Sequence, residues 1–213
     1  MTSRPKRRSS EASHAAIFKA AAEEFSERGF DGAGVDRIAA KARVNKAMLY
    51  YHFGSKRALY IEVLRDMFGA VSEKARAIAG SAGTAPEKLD RWIATIIQEA
   101  AARPWFPPIM LRELASGAPR FDPETFALMN AVYGAVRDIL LQGQREGSFG
   151  ECDPLLTHLT IMPPILIFFA RQRVLATKEI HTGLLEPRQI DAFVVHMQRT
   201  ALRLVQKEGL RPS

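Results

Sequence analysis

The sequence predicts an all-α protein of about nine helices: a small N-terminal three-helix domain followed by a larger C-terminal helical domain. Apolar residues recur at helical spacing in most segments, and no segment shows the alternation of a half-buried strand. Glycine and proline clusters separate these segments. With 213 residues, 47% hydrophobic and 25% charged, the chain has the composition of a folded protein.

The first helix is expected to begin at a capping Ser10 or Ser13 and to end near Arg28. Gly29 then occupies the usual position of a left-handed cap. Residues 1–10 are expected to form a disordered basic arm, because they are polar and rich in Arg and Lys. The buried face of this helix has the i, i+3, i+4, i+8 pattern of Ile17, Ala20, Ala21 and Phe25.

Two short helices separated by a tight turn follow. Asn45 is a favourable N-cap for a helix from about Lys46 to His52, and Ser55 caps a fourth helix that begins at Lys56. This spacing is that of a helix-turn-helix, whose second helix enters the major groove of DNA. The helix before the turn has its apolar face at Val35, Ile38, Ala39 and Ala42.

Five more helices are predicted after the fourth. The most apolar run, Leu159–Ala170, is too short to span a bilayer and contains Pro163 and Pro164. We therefore predict a buried core helix, broken or kinked at the prolines, and no membrane association. The fifth helix is expected to open at Thr84 or Pro86, and the sixth to run from about 108 to 116. The seventh includes Phe126–Leu140 and ends at Gly147. The last two are expected to run from about 153 to 177 and from about 187 to 207.

Positive charge is concentrated at the N-terminus. Residues 1–57 contain 12 Lys/Arg and 6 Asp/Glu, so this quarter carries +6 of the net charge of +7. Such a distribution is typical of a domain that binds a polyanion. The single cysteine, Cys152, excludes an intramolecular disulfide and fits a cytoplasmic protein, and no metal or other cofactor is predicted.

Residues 17–59 read IFKAAAEEFSERGFDGAGVDRIAAKARVNKAMLYYHFGSKRAL and resemble the N-terminal domain of the TetR/AcrR transcriptional regulators. The sequence departs from the family pattern at Arg43, which replaces the turn glycine, at Asn45, which replaces a serine, and at Ala33-Gly34, which replace a Thr/Ser pair. The matching positions are Phe25, Arg28-Gly29-Phe30, Val35, Ile38-Ala39, Val44, 49–53 and Ser55-Lys56.

The resemblance implies a DNA-binding domain over residues 11–58 and a ligand-binding and dimerisation domain over 59–213. It also implies that a homodimer binds a palindromic operator in double-stranded DNA. Leu49 and Phe53 are expected in the core. The expected DNA-binding residues are Arg37, Asn45, Lys46, Ala47, Tyr50, Tyr51, His52 and Lys56.

The C-terminal domain contains many bulky apolar side chains with a few polar groups among them, which is typical of a ligand pocket. The expected ligand-binding residues are Trp92, Met110, Arg112, Met129, Tyr133, His158, Met162 and Phe168. The last helix has a wide apolar face, whose expected dimer contacts are Phe193, Val194, Met197, Ala201 and Leu204.

These observations predict a repressor that is released from DNA by a mostly apolar small molecule. Arg112 could bind a carboxylate of that molecule, but pairing of Arg112 with Glu113 or with a neighbouring helix is the favoured alternative. The alternative is a DNA-binding regulator that takes no small ligand and is controlled by a protein partner or by its abundance. A ligand-sized cavity in the second domain would discriminate between the two. An enzyme is disfavoured because no nucleophile elbow, phosphate loop, metal cluster or catalytic carboxylate pair stands out.

Overall fold

The structure, a computed structural model, describes residues 4–177 and 186–206, and within these ranges every regular element is an α-helix. The prediction of an all-α protein with about nine helices is confirmed. The helices of the described ranges are α1 (Arg4–Gly32), α2 (Val35–Ala42), α3 (Lys46–Phe53), α4 (Lys56–Gly80), α5 (Ala85–Ala102), α6 (Phe106–Ala115), α7 (Pro123–Glu146), α8 (Pro154–Thr177) and α9 (Pro187–Val205).

Several predicted caps are found at the helix ends. The side chain of Asn45 accepts a hydrogen bond from the Met48 N–H (2.8 Å) at the start of α3, and Ser55 accepts one from the Ala58 N–H (3.0 Å) at the start of α4. Gly147 ends α7 in the left-handed conformation, with φ of 70°.

Two predictions about helix limits need correction. The backbone of α1 is helical from Arg4, so neither a cap at Ser10 or Ser13 nor a disordered arm is observed over residues 4–10, and residues 1–3 lie outside the described ranges. Pro5 is compatible with this start because the first turn of a helix needs no N–H donor. The helix α8 continues through Pro163 and Pro164, so the prediction of a break was wrong, and the alternative of a kink there stays a prediction.

The helix α4 connects the two halves of the molecule. At its start, Tyr60 packs edge-to-face against Phe25 of α1, with ring centroids 4.8 Å apart. Further along, the buried Val63, Leu64 and Met67 join a single apolar core that includes α5 and α7. The N-terminal helices and the C-terminal helices therefore share one continuous core through α4.

The surface formed by α8 and α9 is unusually apolar. The window Pro154–Arg171 of α8 is long and apolar enough to cross a membrane, judged only by length and composition, and 28% of it is buried. Large apolar side chains remain exposed on both helices: Leu155, Leu156, Leu159, Ile167, Val195 and Leu204. The expectation of a buried core helix therefore holds for only one face of α8.

Two of the predicted dimer contacts lie inside the protomer. Met197 and Ala201 on α9 are 4% and 0% exposed and belong to the protomer's own core. Placing them in a dimer interface was wrong, because helical periodicity identifies a buried face and not the element that covers it. Phe193 and Val194 are partly buried, and Leu204 is 44% exposed.

Two glycines of α7 provide a stability test. A Cβ added at Gly143 would lie 2.0 Å from the Phe149 ring, whereas a Cβ at Gly134 would meet nothing within 4 Å. We expect Gly143→Ala to lower the free energy of unfolding by roughly 1–3 kcal/mol, because the buried ring has to move. The control Gly134→Ala should raise it by roughly 0.5–1 kcal/mol. Urea denaturation measures both, and equal effects of the two variants would contradict this packing.

Candidate DNA-binding surface and ligand cavity

A buried carboxylate fixes α1 against α2. Glu24 on α1 is 1% exposed, and its oxygens lie 2.5 Å from Arg37 Nε, 3.3 Å from Arg28 Nε and 3.3 Å from Lys41 Nζ. Burial alone would raise the pKa of Glu24, but hydrogen bonds from Arg37 and Lys41 outweigh it and lower that pKa. Arg37 also donates to the Gly32 carbonyl, so two of its nitrogens are engaged within the protein, while its side chain is 49% exposed and a phosphate contact stays a prediction.

The helix α3 presents one face to the core and the other to solvent. Leu49 and Phe53 are buried, as expected. On the opposite face Tyr50 is 43% and Tyr51 is 78% exposed, and Ala47 is exposed beside them. Two exposed aromatic side chains on a short helix after a tight turn form a surface suited to the edges of base pairs.

Lys46 adds a positive charge at the start of this surface. Its Nζ lies 3.0 Å from Asp36 Oδ1 of α2, and the hydrogen bond to Asp36 raises the pKa of Lys46. Both side chains are exposed, and an exposed ion pair contributes little to stability. Lys46 can therefore exchange Asp36 for a phosphate at small cost.

Two predicted contact residues also touch the protein itself. The His52 ring lies 5.7 Å from the ring of His14 on α1 and 5.2 Å from the ring of the exposed Tyr51, and its Nε2 is buried although the residue as a whole is partly exposed. A contact between His52 and phosphate stays a prediction. Lys56 is partly buried, and its Nζ lies 4.6 Å from the Phe30 ring centroid. Its ammonium group therefore forms a cation–π contact within the protein.

Two further arginines, which were not among the predicted DNA-binding residues, lie next to α3 in the chain. Arg43, in the turn, and Arg57, in the first turn of α4, are exposed and form no ion pair or side-chain hydrogen bond within the described part of the chain. Arg43 has a left-handed backbone (φ 56°, ψ 39°) where glycine is favoured. Arg57 lies beside the free N–H groups of a helix N-terminus, which also attract phosphate.

A cavity of about 320 Å³ lies between α4, α5, α6, α7 and α8. The structure brings five predicted ligand-binding residues to its wall: Met110, Met129, Tyr133, His158 and Met162. Sequence reasoning missed the contributions of α4, which are Met67, Phe68 and Val71, because their spacing is that of ordinary core residues.

The other three predicted ligand-binding residues do not line the cavity. Trp92 is 0% exposed in the core behind His158, with ring centroids 6.1 Å apart. Phe168 stacks on Phe193 of α9 at 3.9 Å. Arg112 is absent from the wall, so it does not anchor a carboxylate ligand in this cavity, and the alternative that it is engaged by a neighbouring helix is confirmed.

Arg112 instead joins α6 to the DNA-binding helices. Its Nη1 donates to the Ser26 carbonyl (2.6 Å) and its Nη2 to the Glu27 carbonyl (3.2 Å). These carbonyls lie in the turn of α1 before a kink at Gly29, where φ is 69°. A cation at the end of a helical turn is favourable, because carbonyls there lack donors within the helix.

Glu113, next to Arg112, forms a second attachment between the two halves. It is 2% exposed and accepts a hydrogen bond from Tyr60 Oη of α4 (2.7 Å) and one from Arg120 Nη1 (3.3 Å). Burial and the contact with Glu113 raise the pKa of Tyr60, so its hydroxyl stays protonated and donates. Arg120 also forms an ion pair with Asp31, in which Nη2 lies 2.6 Å from Oδ2. The cavity wall and the N-terminal helices are thus linked by polar contacts.

Comparison with known proteins identifies the family. A family profile described as bacterial regulatory proteins, tetR family, matches residues 17–63. The transcriptional repressor NicS of Pseudomonas putida is 31% identical over 155 residues, which cover 72% of this chain and 73% of that protein. The chain belongs to the TetR family. It is therefore a DNA-binding transcriptional regulator, and the predicted resemblance is confirmed.

Solved structures share the fold of this TetR-family chain. The ketosteroid transcriptional regulator KstR2 of Mycobacterium tuberculosis has a TM-score of 0.74 and 22% identity, covering 92% of this chain and 95% of that one. The regulator FadR from Bacillus subtilis in complex with stearoyl-CoA has a TM-score of 0.68 and 19% identity, covering 90% and 99%. At these identities the likeness establishes the fold alone.

Tyr50 tests base recognition by α3. Because its side chain is 43% exposed, Tyr50→Ala should leave the melting temperature almost unchanged. We expect it to weaken binding to a duplex selected from a random pool by about 1–3 kcal/mol, and binding to random duplex much less. Gel-shift titration of both duplexes measures the difference. An equal loss on both would show that Tyr50 contacts only the DNA backbone.

Arg57 tests phosphate binding by α4. Arg57→Ala should weaken binding to selected and random duplexes alike, and should reduce the slope of log affinity against log salt by about one. Arg137→Ala is the matched control, because Arg137 is an exposed arginine on α7 that pairs with the adjacent Asp138. Identical salt slopes for wild type and Arg57→Ala would remove Arg57 from the DNA surface.

Proposed function

We propose that this regulator is a homodimeric repressor that leaves a palindromic operator when a mostly apolar small molecule enters the cavity. The observation that carries the proposal is that two helices of the cavity wall also hold the DNA-binding helices. The helix α4 begins directly after α3 and lines the cavity along its middle. The helix α6 lines the cavity with Met110 and Leu111 and binds α1 through Arg112.

A ligand changes DNA affinity only if it binds one arrangement of these helices better than the other. A molecule in the cavity would contact Met67 and Phe68 of α4 and Phe106 and Met110 of α6 from the same side. A ligand that fills more of the cavity favours a wider separation of α4 from α6. Because α4 is continuous, this displacement also moves its start at Lys56, and with it α3.

The cavity supports regulation by a small molecule over regulation by abundance or by a protein partner alone. A ligand-sized space in the second domain is expected only under the first of these two hypotheses. Its volume of about 320 Å³ falls in the range of about 300–1,000 Å³ found for ligand pockets. The proposal assigns no enzymatic activity to the chain and places it in the cytoplasm, where operator DNA is found.

The proposed homodimer uses the exposed apolar surface of α8 and α9. Leu156 is 65%, Ile167 is 55% and Val195 is 44% exposed in the protomer. An apolar surface of this kind on two adjacent helices is suited to a symmetric interface with a second copy. The proposal requires that this dimer hold two α3 helices about one DNA turn apart, the spacing at which a palindrome presents its half-sites.

A cavity-filling substitution tests the coupling without any ligand. Met129→Trp on α7 places a larger side chain at the cavity wall and should lower affinity for the selected duplex by roughly fivefold or more. The control is Phe126→Trp, since Phe126 lies one turn earlier, is 52% exposed and is absent from the wall. Fluorescence anisotropy measures both affinities. A folded Met129→Trp variant with wild-type affinity would contradict the coupling.

The oligomeric state tests the proposed interface. Ile167→Asp should give monomers, because the interface would bury a carboxylate without a partner. It should not unfold the protomer, in which Ile167 is exposed. Phe126→Asp, a control of similar exposure on α7, should leave the dimer intact. Sedimentation velocity at micromolar concentration distinguishes them, and a dimeric Ile167→Asp variant would place the interface elsewhere.

A further inference from the structure

The wall of the cavity carries no fixed charge. Its described lining residues include no Asp, Glu, Lys or Arg, and the polar side chains among them are Asn130, Tyr133 and His158. The nearest candidate for an ionic anchor, Arg112, is bound to carbonyls of α1 on the other side of α6. A charged ligand group would therefore be buried without a counter-charge, which is strongly unfavourable.

His158 is the polar group with an unused hydrogen-bonding atom. Its Nδ1 is buried and has no hydrogen-bond partner within the described residues. Its ring is held between Tyr133, with centroids 5.3 Å apart, and Trp92, at 6.1 Å. A buried polar atom without a partner is rare in folded proteins, because its lost hydration is not replaced. Because Nδ1 has almost no accessible surface in this structure, the imidazole has to rotate toward the cavity before a ligand can supply the missing bond.

The protonation state of His158 determines which ligand groups it can bind. Burial lowers the pKa of His158 to about 4, so the imidazole is neutral near pH 7. A neutral imidazole donates from one nitrogen and accepts at the other. It can bind a hydroxyl or a carbonyl, but it offers no charge to a carboxylate or a phosphate.

We propose that the ligand is an uncharged, mostly apolar molecule with one hydroxyl or carbonyl group, which forms a hydrogen bond with Nδ1 of His158. This assignment rests on the proposed ligand-responsive function and specifies the chemistry that the same cavity selects. The cavity volume, near the lower end of the range for ligand pockets, fits a compact molecule of one or two rings or a short chain.

A matched set of probes tests the proposal on the full-length protein. Naphthalene, 2-naphthol and 2-naphthoate share one apolar skeleton, and near pH 7 they carry no polar group, a neutral hydroxyl and a charged carboxylate. A second set, decane, 1-decanol and decanoate, repeats the comparison on a flexible chain. Calorimetric titration should show, in at least one set, that the alcohol binds roughly tenfold more tightly than the hydrocarbon and the carboxylate.

Two variants assign the preference to His158. His158→Phe keeps an aromatic ring between Tyr133 and Trp92 but removes both nitrogens, so alcohol and hydrocarbon should bind within about twofold of each other. His158→Asn keeps a hydrogen-bonding group near the position of Nδ1 and should retain most of the preference for the alcohol. Circular dichroism melting verifies that both variants fold.

The outcomes separate this inference from the proposed function. If a carboxylate probe binds as tightly as its alcohol and releases the selected duplex, the cavity is a regulatory site but the neutral-ligand assignment is wrong. If His158→Phe keeps the full preference for the alcohol, the hydrogen bond belongs to another residue and the assignment to His158 is wrong. If no probe of either set binds or releases DNA, both proposals are overturned.

Discussion

The structure depends on one mechanical constraint, the continuity of α4. This helix of 25 residues begins at Lys56, directly after the connection that follows α3, and passes the cavity before it ends at Gly80. At about 1.5 Å per residue it spans nearly 40 Å, and its internal hydrogen bonds let it move as a unit. The side chains of α4 that face α1 and those that face the cavity therefore cannot be displaced independently.

The second link, through α6, differs from α4 because it is made of separable polar contacts. The kink at Gly29 leaves carbonyls of α1 available, and Arg112 uses them. Glu113 and Tyr60 add a buried hydrogen bond nearby. In the proposed mechanism, the rigid helix carries the displacement, and the polar contacts on the other side are the ones that can exchange partners when α4 moves.

The sequence predicted the helices well, because capping residues such as Asn45, Ser55 and Gly147 act locally. It also located the exposed tyrosines of α3 and five residues of the cavity wall. It failed where the outcome depends on which distant element covers a side chain. Arg112 faces α1 and not the cavity, and Met197 faces the protomer's own core. Periodicity defines a buried face of a helix, but it contains no information about the identity of the neighbour.

The ion pairs around Glu24 affect how the excess of positive charge in residues 1–57 is available to a partner. Arg28, Arg37 and Lys41 count toward this excess of positive charge, yet all three point at one buried carboxylate. One carboxylate compensates one of these three charges, and the net charge of +6 already includes it, so the cluster as a whole stays positive. What the ion pairs change is the freedom of the side chains, because Arg28, Arg37 and Lys41 are held against the protein at Glu24. The exposed Arg43 and Arg57, which form no ion pair in the described chain, are freer to displace condensed counterions from a nucleic acid.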